Sequence, residues 1–210
     1  MTYLFLLLAY LTGAIPSSVW IGQRFYGLDV REHGSGNAGA TNTFRVIGKK
    51  AGVLVLLLDI LKGWFATTVL SNLAGNQSID YMLALGLVAV LGHIFPIYIG
   101  FRGGKGIASL LGVIIAIHPM ASVFSILVFI STLIVSRFVS LSSILAACSF
   151  PILIIAHFQS TNKSLVIFSL MVAVLVIFTH KKNIERLFNQ EESKVVLAKK
   201  IFKRKNKLNS

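Results

Sequence analysis

The chain has 210 residues, of which 55% are apolar and only 13% are charged, with a formal net charge of +13 at pH 7. Soluble domains usually carry about 25% charged residues, and here the apolar residues form long runs, which excludes an ordinary soluble domain and indicates a membrane protein. The basic residues lie between these runs and after Glu192, a distribution typical of membrane orientation rather than of a nucleic-acid-binding face. We therefore expect no nucleic-acid partner.

Seven apolar segments follow one another and predict an all-α, polytopic membrane protein. A helix needs about 20 residues to cross a hydrocarbon core of about 30 Å, which the first three segments and the sixth satisfy easily. The fourth has 12 residues, about 18 Å of helix, so we expect it to borrow residues from the preceding loop or to end in a protein-lined cavity. No basic residue precedes the first segment, which we expect to be a retained span rather than a signal peptide. The segments are residues 3–25, 51–73, 81–99, 107–118, 120–135, 138–158 and 164–179.

The fourth and fifth segments are predicted to be separate spans, because Pro119 disfavours helix at His118. The positions of the Lys and Arg residues also favour separate fourth and fifth spans. With seven spans and the N-terminus outside, 18 of the 20 Lys and Arg residues lie on the inner side, whereas Lys163 is outside and Lys62 is within a span. Merging two spans would place the tail or the early loops outside, against the positive-inside rule. We predict seven transmembrane helices, with the N-terminus outside and the C-terminus cytoplasmic.

Few charged residues fall within the predicted spans. Asp59 and Lys62 lie in the second span, where each charge costs about 2.5–3.5 kcal/mol, and their spacing predicts an ion pair whose role stays open. Cys148 is the only cysteine, so an intramolecular disulfide is excluded and a packed thiol is expected. The histidines of the spans show no metal-ligand spacing, and we predict no metal and no cofactor.

Inner segment 1, the connection between the first and second predicted spans, is rich in glycine. Gly34, Gly36 and Gly39 allow sharp turns in which successive backbone N–H groups can bind an anion. Thr41 or Asn42 is the expected N-cap of a short helix that carries Arg45. Such a helix would direct its N-terminus at the same anion. An ordinary turn-rich loop is the alternative.

Inner segment 2, between the third and fourth predicted spans, contains Gly103-Gly104-Lys105-Gly106. The stretch looks like a P-loop but lacks two of its parts. Ile99 stands where the first glycine is needed, and Gly106 stands where Ser or Thr must follow the lysine. What remains is a lysine on a flexible backbone, suited to phosphate as a point charge, or simply a lysine that orients the protein in the membrane.

Inner segment 3, between the fifth and sixth predicted spans, is short and leads into Ser140 and Ser143. Inner segment 4 follows the last predicted span. In segment 4, His180 and Asn183 are three residues apart and share one face of a helix. His180 can carry a proton, since its unperturbed pKa is roughly 6.5, or donate to a phosphate. An ordinary surface histidine is the alternative.

Together these stretches resemble the bacterial acyl-phosphate:glycerol-3-phosphate acyltransferase family (PlsY). The resemblance runs from the first span to the last, and the motifs of inner segments 1 and 2 are long enough to be specific. It implies seven membrane helices with an active site on the cytoplasmic side of the bacterial cell membrane. The matching residues are Gly13-Ala-Ile-Pro-Ser17, Ser35-Gly-Asn-Ala-Gly-Ala-Thr-Asn42, Arg45, Gly48, Gly92-His-Ile-Phe-Pro96, Phe101-Arg-Gly-Gly-Lys-Gly106, Arg137, Ser140-Leu-Ser-Ser143, His180 and Asn183.

The resemblance also implies the reaction, in which a fatty acyl group moves from acyl phosphate to the 1-hydroxyl of sn-glycerol 3-phosphate. Lysophosphatidic acid and inorganic phosphate are the products, in the first acylation of phospholipid biosynthesis. We expect the glycerol phosphate to be held by a first group of side chains and the donor phosphate by backbone N–H groups, helped by Ser143. The first group is Arg45, Lys105, Ser35, His180 and Asn183. The remaining expected substrate contacts are Asn37, Gly39, Ala40, Thr41, Asn42, Gly103, Gly104 and Gly106.

No nucleophile for an acyl-enzyme is evident in the sequence. Cys148 lies deep in a span, and Ser35 is not in a Gly-x-Ser-x-Gly turn because His33 takes the first glycine position. We therefore expect direct attack by the glycerol hydroxyl, with its proton passing to the donor's own phosphate or to His180. Positioning of the two substrates then supplies much of the rate.

The chain is divided into a membrane acyltransferase domain, residues 1–190, and a basic cytoplasmic tail, residues 191–210. The tail either lies on anionic lipid headgroups or is solvated. Expected partners are glycerol 3-phosphate, acyl phosphate and membrane lipid, with possible contact to the enzyme that makes acyl phosphate.

Three other functions are weaker. A small-anion carrier also has glycines and basic residues at broken helices, but near the bilayer midplane. A soluble-type acyltransferase that uses acyl-CoA and a His-x4-Asp pair is disfavoured, because Glu185 rather than Asp follows His180 at that spacing. A lipid-alcohol phosphotransferase needs clustered aspartates for magnesium, and the three in this chain lie far apart.

Overall fold

Residues 2–195 are described by a computed structural model, and within this range the chain forms ten α-helices and no β-strand. The predicted basic strip at residues 194–207 lies almost entirely outside the described residues. The helices are α1 (Thr2–Ala14), α2 (Ser17–Tyr26), α3 (Ala40–Val46), α4 (Lys49–Leu73), α5 (Ile79–Ile94), α6 (Ile107–Ile117), α7 (Pro119–Ser136), α8 (Val139–Ile152), α9 (Lys163–Thr179) and α10 (Lys181–Phe188).

Four helical stretches of the described chain are long and apolar enough to cross a membrane, and they contain α4, α5, α7 and α8. Two bent pairs, α1 with α2 and α9 with α10, raise the number to as many as six. Helix α6 is apolar but has only 11 residues, about 17 Å, as the short fourth segment predicted. The all-helical membrane architecture is thus established, whereas seven spans and the orientation of the termini stay predictions.

Proline accounts for the main departures from the predicted spans. The first span is not one straight helix, because α1 ends before Pro16 and α2 continues at an angle of 43°. The third predicted span agrees with the stretch Ile79–Ile99, but its α-helix, α5, stops at Ile94, and a short 3₁₀ turn at Ile97–Ile99 follows Pro96. Pro151 lies within α8, and a π-helical turn follows at Leu153–His157.

The break predicted between the fourth and fifth spans is confirmed. His118 adopts a non-helical conformation (φ −145°, ψ 78°) between α6 and α7, with Pro119 as the first residue of α7. The His118 side chain accepts a hydrogen bond from the backbone N–H of Ala121 at 3.2 Å. It therefore caps the helix that its own backbone conformation separates from α6.

Small residues bring the central helices into backbone contact. A Cβ atom on Gly63 of α4 would lie 2.0 Å from the carbonyl oxygen of Ser109, and one on Gly112 of α6 would lie 2.0 Å from that of Ile60. Helices α1 and α5 approach in the same way at Gly13 and Gly92. Close packing of this kind is the usual means of helix association in a bilayer, where lipid removes the hydrophobic drive between helices.

The four inner segments contact one another at one end of the bundle, and the α4–α5, α6–α7 and α8–α9 connections lie at the opposite end. At the opposite end, the Tyr81 hydroxyl donates to the carbonyl of Thr2 at 3.4 Å, and the rings of His118 and Phe158 are 4.5 Å apart. Large apolar side chains are exposed along the bundle, as expected for a surface in contact with lipid. The inner segments are residues 27–48, 95–106, 137–138 and 180–195.

Candidate active site

Inner segments 1 and 2 are in direct contact although they are far apart in the sequence. The Arg31 guanidinium donates to the carbonyl of Ile99 at 3.0 Å. A Cβ on Gly104 would lie 2.7 Å from the carbonyl oxygen of Ala38, so only glycine allows the two backbones to come this close. The two glycine-rich segments therefore form one surface.

Inner segment 1 is held in shape by the buried side chain of Asn42. Its amide nitrogen donates to the carbonyls of Val30 and His33, at 2.7 Å and 3.0 Å, and its amide oxygen accepts from the N–H of Ser35 at 2.9 Å. The short helix predicted here is present as α3, but the predicted cap is wrong. Gly39 occupies the N-cap position, because Asn42 lies within the helix and uses its side chain to fix the turns before it.

The side chains of segment 1 that can reach a ligand are those of Ser35, Thr41 and Arg45, which are exposed. The Arg45 side chain lies along Gly34, where a Cβ would be 3.4 Å from Cδ of the arginine. Within residues 2–195, Arg45 forms no ion pair or side-chain hydrogen bond. Its guanidinium is thus available to an anion. Asn37 is half-buried beside Gly39.

Inner segment 2 rests on the end of α5. The N–H groups of Gly103 and Gly104 donate to the carbonyls of Ile94 and His93, each at 3.2 Å. A Cβ on Gly103 would lie 2.1 Å from the His93 oxygen, and one on Gly104 would lie 2.2 Å from Nε2 of the same histidine. Gly106 then starts α6 with a φ of +79°, in the left-handed region. Lys105 is therefore presented from a backbone with little freedom to move.

A buried polar network lies beneath this segment. The predicted pair of Asp59 and Lys62 is confirmed, with 2.9 Å between Oδ1 and Nζ. Lys62 also donates to the carbonyl of Ile15 at 2.7 Å, and Ser17 donates to Asp59 at 3.0 Å, both at the break between α1 and α2. Nδ1 of His93 is 3.7 Å from the Asp59 carboxylate. The network thus connects the bend of the first span to the histidine on which Gly104 packs.

Lys105 joins inner segment 2 to inner segment 4. Its ammonium donates to Oδ1 of Asn183, a buried residue of α10. Burial is the main cause that lowers the pKa of Lys105 to about 8; the Glu192 carboxylate opposes this shift and the positive charge of Arg186 adds to it. The ammonium form of Lys105 therefore predominates at pH 7 but is lost as the pH rises through about 8.

His180, the first residue after α9, is buried next to Lys105. Its Nδ1 lies 2.9 Å from the carbonyl of Val176, to which it donates as N–H. Burial and the nearby Lys105 charge lower the pKa of His180 to about 4. The ring is thus neutral at physiological pH, and Nε2 is the nitrogen left to accept a hydrogen bond.

The two serines of α8 that the family resemblance includes at the ends of its motif, Ser140 and Ser143, have different partners. The Ser143 hydroxyl donates to the carbonyl of Val139 at 2.9 Å, within its own helix. The Ser140 hydroxyl instead donates to the Glu192 carboxylate at 2.9 Å. The structure therefore brings three of the predicted residues, Lys105, His180 and Asn183, into one cluster. Ser143 takes no part in the hydrogen bonds of this cluster.

Several residues of the cluster and its support were not predicted. Glu192, Arg186 and Ser140 contact the cluster or one another, and His93 supports inner segment 2. The sequence distinguishes Glu192 only as an acidic residue at the start of a basic tail. His93 belongs to the Gly92–Pro96 stretch of the family resemblance, but the sequence does not mark it as the support of inner segment 2.

The comparison with protein families decides the identity. Residues 3–190 match the family model described as glycerol-3-phosphate acyltransferase. The chain belongs to this family. A glycerol-3-phosphate acyltransferase of Listeria monocytogenes is 46% identical over 189 residues, which cover 90% of this chain and 94% of the relative. Glycerol-3-phosphate acyltransferase 2 of Bacillus cereus is 44% identical over 199 residues, or 95% of this chain and 98% of the relative.

Solved structures of an integral membrane acyltransferase of the same family have a similar fold. The glycerol 3-phosphate form of PlsY (YgiH) superposes with a TM-score of 0.84 at 36% identity, covering 93% of this chain and 96% of that one. Its lysophosphatidic acid form gives a TM-score of 0.82. This glycerol-3-phosphate acyltransferase is thus a membrane enzyme of phospholipid biosynthesis, as the sequence motifs predicted.

We expect Asp59→Asn to lower the thermal stability of this acyltransferase in detergent strongly. The substitution leaves the buried Lys62 ammonium without its counter-charge, at a cost of about 3–5 kcal/mol. Asp59→Asn/Lys62→Met should recover part of the loss, and Asp80→Asn, at an exposed aspartate, is the matched control. A melting temperature that is equal in Asp59→Asn and Asp80→Asn would contradict a structural role of the pair.

Proposed function

We propose that this acyltransferase moves a fatty acyl group from acyl phosphate to the 1-hydroxyl of sn-glycerol 3-phosphate. The observation that carries the proposal is the cluster of Lys105, His180 and Asn183 beside two glycine-rich segments at one end of the bundle. Support for the acceptor and the product comes from the similar PlsY structures, which are described as glycerol 3-phosphate and lysophosphatidic acid forms. The family resemblance supports acyl phosphate as the donor.

Glycerol 3-phosphate binds, in this proposal, through its phosphate to Lys105 and Arg45. Arg45 forms a bidentate contact with the phosphate, whereas Lys105 acts as a point charge. Ser35, on the exposed turn of inner segment 1, adds a hydroxyl. His180 and Asn183 contact the glycerol hydroxyls, because a neutral imidazole nitrogen and an amide are suited to hydroxyl groups.

The donor phosphate is held by the start of α3. The N–H groups in the first turn of a helix have no acceptor within the helix, and the first turn of α3 begins at Ala40 and Thr41. In inner segment 2, Gly103 and Gly104 already donate their N–H groups to α5, which leaves Lys105 as its main anion-binding group. The acyl chain of the donor lies along the apolar, lipid-facing surface.

The chemical step is direct acyl transfer. The oxygen of the 1-hydroxyl attacks the carbonyl carbon of acyl phosphate, the bond from this carbon to the bridging phosphate oxygen breaks, and the electron pair leaves with the phosphate. The hydroxyl proton passes to the departing phosphate, so the products are lysophosphatidic acid and hydrogen phosphate. The N–H groups at the start of α3 stabilise the charge that develops on the departing phosphate.

His180 acts as a hydrogen-bond acceptor rather than as the base. A histidine with a pKa of about 4 is neutral at pH 7 and has little affinity for a proton. Nε2 instead orients the attacking hydroxyl, while Nδ1–H is fixed by the Val176 carbonyl.

The proposed arrangement in the membrane has seven spans, an outside N-terminus and an active site that faces the cytoplasm. The distribution of basic residues supports this orientation, because seven spans with an outside N-terminus assign 18 of the 20 Lys and Arg residues to the inner side. The same end then faces the bacterial cytoplasm, from which glycerol 3-phosphate arrives and where an enzyme that makes acyl phosphate can make contact.

Substitution of His180 distinguishes an acceptor from a base. A glutamine amide reaches about as far as Nε2 and can accept a hydrogen bond but cannot take up the proton. We expect His180→Ala to lower turnover about 10- to 100-fold, the effect of one lost hydrogen bond, and His180→Gln to recover most of it. Equal losses of about 10²- to 10⁴-fold in both variants would show that His180 is the base, and near-normal turnover of His180→Ala at saturating substrate would remove it from the step.

The donor is tested by supplying the purified enzyme in detergent with glycerol 3-phosphate and either acyl phosphate or acyl-CoA. We expect stoichiometric phosphate and lysophosphatidic acid from acyl phosphate and no product from acyl-CoA. Activity with acyl-CoA alone would contradict the proposed donor. Absence of turnover in detergent, together with glycerol 3-phosphate flux in sealed vesicles, would favour a carrier.

A further inference from the structure

Glu192 lies after α10 and beyond residues 3–190 matched by the family model, yet its carboxylate is buried in the site. Oε1 accepts from Nδ2 of Asn183 and from the Ser140 hydroxyl, both at 2.9 Å. Oε2 accepts from Nε of Arg186 at 2.7 Å. The side chain is only 8% exposed, so these bonds replace water around the carboxylate.

The backbone around Glu192 is fixed as well. Its N–H donates to the carbonyl of Arg186 at 3.2 Å, and the N–H of Val195 donates to the carbonyl of Arg137 at 2.8 Å. Lys194 also lies over the ring of Phe138, with Nζ 5.3 Å from the ring centroid. Residues 191–195 thus pass across the start of α8 and close one side of the cluster.

The charges on either side of Asn183 determine which way its amide points. A carboxylate can only accept hydrogen bonds and an ammonium group can only donate them. Because Glu192 contacts one end of the amide and Lys105 the other, Nδ2 must face the carboxylate and Oδ1 must face the lysine. Hydrogen bonds from Asn183, Arg186 and Ser140 outweigh the effect of burial and lower the pKa of Glu192, which is therefore ionised at pH 7.

We propose that Glu192 is a positioning residue for acyl transfer, which orients the Asn183 amide toward Lys105 and supplies the negative charge that keeps the Lys105 ammonium in its protonated, phosphate-binding form. The proposal rests on the function proposed above, in which Lys105 binds the phosphate of glycerol 3-phosphate. Glu192 does not touch the substrate, because Asn183 separates it from Lys105 and Arg186 pairs with its other oxygen.

The remaining titratable groups near Lys105 do not favour its charged form. Arg186 repels the ammonium, and His180 is a neutral ring. Beneath inner segment 2, His93 packs on Gly104 from α5. Glu192 is thus the carboxylate that offsets the burial of Lys105 within the described chain. Removal of its charge should shift the loss of the Lys105 proton to lower pH.

The experiment is calorimetric titration of glycerol 3-phosphate into the full-length protein in detergent between pH 7 and 9.5. In this range the substrate phosphate is mostly a dianion, since the second pKa of a phosphate monoester is about 6. For the wild type we expect affinity to fall as the pH rises through about 8. For Glu192→Gln the fall should begin roughly one pH unit lower, so that affinity at pH 9 is about tenfold weaker than that of the wild type.

Three variants serve as controls. Glu191→Gln removes the exposed neighbouring charge and should leave the pH profile unchanged. Lys105→Arg/Glu192→Gln should show no fall in affinity up to pH 9.5, because arginine stays charged. Glu192→Asp keeps the charge but is one methylene shorter, so we expect the fall in affinity to stay near pH 8 while overall affinity drops several-fold.

Each outcome decides the proposal. A Glu192→Gln profile identical to that of Glu191→Gln, even with a lower melting temperature, would reduce Glu192 to a structural residue. Tighter binding by Glu192→Gln would show that its carboxylate competes with the substrate and would also overturn the proposal. If Glu192→Gln does not fold, Glu192→Asp tests the proposal in its place. Wild-type affinity of Glu192→Asp for glycerol 3-phosphate would contradict a positioning role of Glu192. Failure of the wild type to bind glycerol 3-phosphate would instead refute the proposed function.

Discussion

The ion pair of Asp59 and Lys62 is the interaction on which the rest of the architecture depends. A bilayer provides no hydrogen-bond partners, so a charge within a span must be neutralised inside the protein. The break before Pro16 frees the carbonyl of Ile15, to which Lys62 donates, and places Ser17 against Asp59. The bend of the first span and the buried charges of α4 therefore stabilise each other.

The same network sets the position of the phosphate-binding segments. His93 contacts Asp59 on one side and packs against Gly104 on the other, while its carbonyl accepts the N–H of that glycine. Glycines at the α4–α6 and α1–α5 contacts hold these helices at backbone distance. Lys105 consequently projects from a rigid support toward α10, a requirement for a site that accelerates a reaction mainly by positioning its substrates.

The all-helical membrane class and the order of the apolar segments could be predicted from the sequence, because lipid selects long apolar runs and proline marks many of their breaks. His118 with Pro119 is the clearest case, and the prediction there is confirmed. The bend at Pro16 was missed because the apolar pattern continues through it. The early end of α5 was missed for the same reason, since Phe95 and Ile97 are as apolar as the helix that precedes them.

The convergence of inner segments 1, 2 and 4 could be predicted from their motifs and from the number of spans between them, and it is visible in the contacts of Arg31 and Lys105. The individual hydrogen bonds could not. Asn42 was expected to cap α3 or bind substrate, but its local sequence does not reveal that three backbone groups would surround it. Glu192 is held both by the preceding α10, through Asn183 and Arg186, and by the distant Ser140 of α8, a combination that no local pattern encodes.

Thiol labelling in membrane vesicles tests most directly whether one face of the bilayer carries the whole site. Ser35→Cys, Glu185→Cys and Gln159→Cys are made separately in a Cys148→Ala background and exposed to a membrane-impermeant reagent. We predict that Ser35→Cys and Glu185→Cys react only in inside-out vesicles and Gln159→Cys only in right-side-out vesicles. Reaction of Ser35→Cys and Glu185→Cys from opposite faces would contradict the account, because inner segments 1 and 4 could not then form one anion-binding site.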